Sequence, residues 1–120
     1  MKNWSIDIRI RFIKEDQIVY GKGVSELLQC VDELKSIRAA AAQLGMTYRK
    51  ALKIIRNAEE GFGKEIIIKK IGGEHGGGST LTEFGKELVY HFKEYEADVL
   101  NYTQRKKEDY FNDLFGKQCE

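Results

Sequence analysis

Residues 36–55 read SIRAAAAQLGMTYRKALKII, and no other stretch restricts the fold as tightly. Two short helical patterns meet at Gly45. Ser36 is placed to cap the first, since its hydroxyl can accept one of the N–H groups that a helix start leaves unpaired. Residues 39–42 are all alanine, small enough for a second helix to cross closely. Gly45 can take the positive φ that a tight helix exit needs. Met46 then plugs the core beneath the turn, and Thr47 caps a second helix over about residues 48–61. This order predicts a helix-turn-helix, a unit whose second helix enters the major groove of DNA.

The second helix has two faces. At about 100° per residue, Ala51, Ile55, Ala58 and Phe62 fall in one narrow stripe, flanked by Ile54 and Tyr48. Arg49, Lys53 and Arg56 cluster on the opposite side, with Lys50 and Asn57 beside them. Alone, this pattern describes any amphipathic helix with a solvated charged face. The turn before it, and the segment after it, favour a groove-reading helix.

That following segment predicts a wing. Residues 64–71, KEIIIKKI, are rich in β-formers and bounded by glycines, which suits a strand. Residues 72–79, GGEHGGGS, form a loop, and residues 79–81 return as a short second strand. Lys69, Lys70 and His75 would lie on or near this wing, close to DNA phosphates. The loop also approaches the phosphate-cradling pattern G-x-x-x-x-G-K-[ST], but Ser79 stands where the lysine belongs. A nucleotide-hydrolysing loop is therefore not expected.

Net charge over the 120 residues is +1, which conceals an uneven distribution. Residues 1–34 carry 5 basic and 6 acidic side chains, a balance of −1. Residues 35–81 carry 9 and 4, a balance of +5, and residues 82–120 carry 6 and 9, a balance of −3. The positive excess coincides with the helix-turn-helix and wing, where Lys and Arg facing phosphates release counterions and supply non-specific affinity. Hydrophobic residues at 42% and charged residues at 32% describe a globular chain. No apolar run approaches a membrane span. Charges at Asp7, Arg9 and Arg11 argue against a secretory signal. Cys30 and Cys119 are too far apart for a disulfide framework, and reduced thiols in a cytoplasm are the expectation. His75 and His91 have no Cys or His neighbours at ligand spacing, so neither metal nor other cofactor is expected.

Flanking this centre are two further elements. Trp4, Ile6, Ile8, Ile10 and Phe12 alternate with Ser5, Asp7, Arg9 and Arg11, a period of two that predicts a strand with one buried face. Its partner would be a local strand near residues 18–20 or another subunit, since a lone strand is not stable. Residues 24–34 predict a first helix with Leu27, Leu28, Val31 and Leu34 facing inward. Thr82 caps a long helix running towards Phe115, about 50 Å at 1.5 Å per residue. On it Leu81, Leu88, Tyr95 and Tyr102 recur every seven residues, with Phe84 or Gly85, Phe92 and Val99 between them. A small domain does not cover so long a stripe. Homodimerisation through Leu88, Phe92, Tyr95, Val99 and Tyr102 is therefore the expected use. Residues 1–81 would form the DNA-binding domain and residues 82–120 the dimerisation helix.

Four features together resemble a known family: Gly21-Lys22-Gly23 before the first helix, SIRAAAAQLGMTYRKA, the pair Glu59-Glu60, and GGEHGGGSTLTEFGKEL. They are similar to the N-terminal DNA-binding domain of the ModE-type molybdate-responsive regulators and, more distantly, to the LysR-type regulators. The resemblance covers about residues 21–95. It implies a mainly α fold with a small β component, a winged helix-turn-helix, a homodimer held partly by the long helix, and a two-fold symmetric DNA site. It also implies that Thr47, Tyr48, Arg49 and Lys53 face bases or nearby phosphates. Molybdate-sensing members carry further β-rich oxyanion-binding modules, whereas this sequence reaches Glu120 soon after the long helix. The expectation is thus a DNA reader without its own molybdate-sensing domain, any effector acting through a separate sensing protein.

Within that reading Arg49 is the candidate for bidentate guanine recognition, with Lys53 and Thr47 beside it. Arg56, Lys50, Lys69 and Lys70 would mainly grip phosphates. A winged helix used only for protein–protein contact is the alternative, and the +5 central segment argues against it. No Ser–His–Asp, Cys–His or metal pattern is readable, so an enzyme is not expected.

Overall fold

A computed structural model describes residues 4–70 and 78–119. Element order is β1 (Arg11–Lys14), β2 (Gln17–Gly21), α1 (Lys22–Leu34), α2 (Ile37–Gln43), α3 (Tyr48–Phe62), β3 (Ile67–Lys70), β4 (Gly78–Leu81) and α4 (Glu83–Cys119). β1 pairs antiparallel with β2, and β3 with β4. This is a winged helix-turn-helix carrying a long C-terminal helix. The described part of the wing is the base of the β3–β4 hairpin. The expected loop tip, His75 included, lies outside the described residues.

Helices α2, α3 and α4 begin where side chains can serve their open N–H groups, whereas α1 starts after Gly21 without a side-chain cap. The Ser36 hydroxyl accepts from Ala39 N at 3.0 Å, and the Thr47 hydroxyl from Lys50 N at 3.1 Å. Thr82 does the same for α4, accepting from Gly85 N at 3.0 Å while its own hydroxyl donates to the Glu65 carbonyl. All three caps match the sequence expectation. Gly45 sits at φ 72° between α2 and α3, and Met46 N donates to Ala41 O at 2.9 Å beneath it. That left-handed conformation is open to glycine at little steric cost.

The core forms where α1, α2 and α3 cross under the hairpins. Leu27, Leu28 and Val31 of α1 meet Ile37, Ala40 and Ala41 of α2, and Ala51, Ile55 and Ala58 of α3. Alanine at the crossing lets backbones approach, as expected from residues 39–42. Tyr20 is fully buried, its ring 5.1 Å from Phe92 and 6.0 Å from Phe62. Its hydroxyl lies close to the buried Ser25 hydroxyl, yet neither closes a hydrogen bond of good geometry among the described residues. Burial raises the Tyr20 pKa above 10.0, and the Ser25 hydroxyl offsets part of that rise.

Two expectations need correcting. Leu34 does not face inward: it is 40% exposed, because Lys35 turns the chain through a left-handed cap at φ 57° immediately after α1. The alternating N-terminal segment is not a ladder strand over its whole length. Pairing begins only at Arg11, and residues 4–10 have no strand partner among the described residues. The period of two survives as burial, with Ile6, Ile8 and Ile10 half-buried and Asp7 and Arg9 exposed. The isoleucines line a groove that Lys93, Ala97 and Leu100 of the long helix also border. Phe12 packs near Phe92 and Tyr95, while at the other end Trp4 stacks on Phe115 at 5.5 Å. The Lys107 amine, in a side chain only 8% exposed, donates to the Trp4 carbonyl at 3.1 Å. Residues 4–10 thus strap the outer half of α4.

Candidate nucleic-acid interface

The basic face of α3 follows from the same turn that builds its buried face. With Ala51, Ile55 and Ala58 committed to the core, Arg49, Lys53 and Arg56 project to solvent, and Asn57 lies exposed beside them. Tyr48 and Leu52 border this face half-buried. Arg49, Lys53 and Arg56 share one shallow depression with Tyr48, Leu52 and Glu60. Thr47, exposed, stands at the leading end, its hydroxyl engaged in the cap. Lys50 is set apart, on the flank of α3 shared with Met46 and Ile54, where a groove runs towards residues 6–11 and α4.

The wing is pinned to this helix. The Glu59 carboxylate accepts from Ile66 N at 2.8 Å and Ile67 N at 3.2 Å, joining α3 directly to the start of β3. Thr82 N donates to Ile66 O at 2.8 Å, and Ser79 N donates to Lys35 O at 3.0 Å. The hairpin is therefore tied to α3, to the start of α4 and to the turn between α1 and α2. Lys69 and Lys70, both exposed, pair in register with Ser79 and Gly78. A concave cleft of about 400 Å³ separates α3 from β3, with Leu52, Arg56 and Lys69 on its walls. His75 lies outside the described residues.

This arrangement presents cations from a helix and an adjacent hairpin on one side of the molecule. Such a surface can hold a polyanion by charge while the helix side chains read base edges. The sequence alone did not mark Arg38, and it marked Glu59 only as part of the Glu59-Glu60 pair, not for a tie to the wing. Glu59 shows its part only through backbone groups seven and eight residues away. Arg38 is exposed in the first turn of α2, and its guanidinium lies 4.1 Å from the Tyr48 ring centroid.

The residues expected at a dimer seam divide. Phe92 is buried in its own chain's core, and Leu88 packs half-buried against that core. Val99 is half-buried, whereas Tyr95 and Tyr102 are 50% and 56% exposed. Among the described residues, no group of three or more His, Cys, Asp or Glu is placed to hold a metal ion. Nor is any helix among them long and apolar enough to cross a membrane.

Residues 25–86 match the family described as bacterial regulatory helix-turn-helix protein, lysR family. The chain is also similar to the molybdenum transport protein ModE of Azotobacter vinelandii, 26% identical over 82 residues. That match covers 68% of this chain and 30% of the relative. A second relative is the molybdenum-pterin-binding protein MopB of Rhodobacter capsulatus, 30% identical over 73 residues, covering 61% of this chain and 27% of that protein. The chain thus spans under a third of the length of these curated relatives.

Proposed function

The chain belongs to the lysR family of bacterial regulatory helix-turn-helix proteins, a family of DNA-binding transcription regulators, and from that premise we propose how it reads DNA. It binds a two-fold symmetric site as a homodimer, placing α3 of each protomer in successive major grooves about 34 Å apart. Arg49 makes bidentate contact with guanine, with Thr47 and Lys53 beside it. Arg56, Lys69 and Lys70 grip phosphates, and Lys50 contributes a flanking charge. Residues 1–81 serve as the DNA-binding unit. Residues 82–120 serve dimerisation through Tyr95, Val99 and Tyr102, with Leu88 at the edge and Phe92 anchoring the helix to its own core.

The observation that carries this reading is the pairing of one buried stripe on α3 with an exposed face of Arg49, Lys53 and Arg56, beside a hairpin bearing Lys69 and Lys70. Fluorescence anisotropy with labelled duplex DNA, from about 50 to 200 mM salt, tests it. Affinity should fall steeply and linearly on a log–log plot. Weak association independent of salt would instead indicate a winged helix that contacts proteins. Adding molybdate should leave the binding of this chain unchanged.

A further inference from the structure

Arg38, Lys64 and Lys106 are exposed cations that lie over aromatic rings, and among the described residues Arg38 sits closest to its ring. Its guanidinium carbon sits 4.1 Å from the centroid of Tyr48. Arg38 belongs to α2 and Tyr48 opens α3, so this contact bridges the two helices across the Gly45 turn. An arginine over a ring face keeps its in-plane N–H groups free to donate at its edge. Beside the pair is a notch of about 270 Å³ lined by Ser36, Arg38, Tyr48, Lys69, Lys70 and Ser79. Three cations from two separate elements meet there, and no carboxylate lines it among the described residues. The walls are fixed in relation to one another. Ser79 N is bonded to Lys35 O, and the Glu59 carboxylate holds the start of β3 to α3.

We propose that this notch seats one backbone phosphate of the bound DNA, with Arg38 as its bidentate ligand and Tyr48 as the positioning residue that pre-orients the guanidinium. This rests on the DNA-reading function proposed above and adds a consequence to it. A phosphate held between α2 and the wing fixes the depth and register of α3 in the groove. Arg38 therefore influences which bases Arg49 meets without touching a base itself. Like-charged Arg38, Lys69 and Lys70 around one notch repel each other when it is empty, and an oxyanion relieves that repulsion.

The test uses two labelled duplexes: a random-sequence 30-mer, and a duplex enriched from a random pool by the wild-type chain. Salt titrations of the wild type, Arg38→Ala, Arg38→Lys, Tyr48→Phe and Tyr48→Leu give the slope of log affinity against log salt. Arg38→Ala should lower that slope by about 0.9 per protomer, the loss of one phosphate contact. Arg38→Lys should restore the slope but not the full preference for the enriched duplex. Tyr48→Phe, which keeps the ring, should retain more of the preference for the enriched duplex than Tyr48→Leu. Tyr48→Leu should lose preference while keeping most of the slope. Thermal unfolding of each variant controls for folding, and Arg38 is exposed enough that its variants should melt with the wild type. An unchanged slope for Arg38→Ala overturns the notch and leaves the DNA reading intact. A wild type with no salt-dependent binding overturns both.

Discussion

The two amphipathic helices that define this molecule, α3 and α4, meet different neighbours. α3 is 15 residues long, and its apolar stripe is covered within the helix-turn-helix by α1 and α2. Its opposite face is left bare. α4 is 37 residues long, about 55 Å at 1.5 Å per residue, and outruns the domain it starts from. Its first half follows the same rule as α3, with Gly85 and Phe92 buried in the core. Its outer half leaves that domain: residues 4–10 touch it at points such as Lys107 to Trp4, a contact that spans 103 positions in the chain, while Tyr102, Tyr110 and Leu114 stay 56%, 77% and 68% exposed. A repeating apolar pattern thus identifies the face of a helix that needs cover. It does not say which segment supplies the cover.

The largest effect should separate the two halves of α4. Phe92→Ala removes a ring packed against Phe12 and Tyr20 and should cost about 3–5 kcal/mol in urea unfolding. Tyr95→Ala, at a half-exposed position, should cost well below that and act mainly by weakening self-association in sedimentation. Equal losses of unfolding free energy would erase the distinction between core anchor and dimer surface.

Next comes the join between α3 and the wing. Glu59→Ala leaves the N–H groups of Ile66 and Ile67 without their carboxylate and should cost about 1.5–3 kcal/mol. Glu59→Gln retains an acceptor oxygen and should cost less. If both variants melt with the wild type, the wing is not held by this carboxylate.

Substitutions on the bare face of α3 should leave stability nearly unchanged and alter recognition. Arg49→Ala should reduce discrimination between the enriched site and random DNA by about 1–3 kcal/mol. Lys70→Ala should weaken both duplexes alike and flatten the salt slope. Equal loss on both duplexes for Arg49→Ala would defeat that division of roles.

The smallest effect concerns the buried phenol. Burial holds the Tyr20 pKa above 10.0, so the folded state keeps its proton more tightly than the unfolded chain. That contribution is fully present below pH 10 and is lost as pH rises through the folded value. Tyr20→Phe removes a buried hydroxyl that lacks a well-placed partner. It should be close to neutral at pH 7 and should lose this alkaline decline in thermal unfolding. An identical alkaline limb in the variant would show that Tyr20 does not cause it.

What was legible in the sequence was local. The caps at Ser36, Thr47 and Thr82 and the turn at Gly45 act within four residues, so spacing alone identified them, whereas the second bond of Thr82, to Glu65, was not legible. The basic face of α3 was legible for the same reason, because one helical period sets both of its sides. The strap was half legible. Its period of two predicted one inward face, but the helix bordering the groove on that face starts about 80 residues later. The grouping of Arg38 with Tyr48, Lys69 and Lys70 was not legible, because it depends on how the turn and the wing fold against each other. Lys50 shows the converse: it is adjacent to Arg49 in sequence, yet faces the other flank of α3.

The contrast between α3 and α4 comes down to whether the bare face of α3 reads DNA. Selection of bound duplexes from a random-sequence pool by the intact chain measures this most directly. The account predicts enrichment of a two-fold symmetric sequence whose half-sites lie about 10–10.5 base pairs apart or a multiple of that. A bound pool with no enriched palindrome would contradict it.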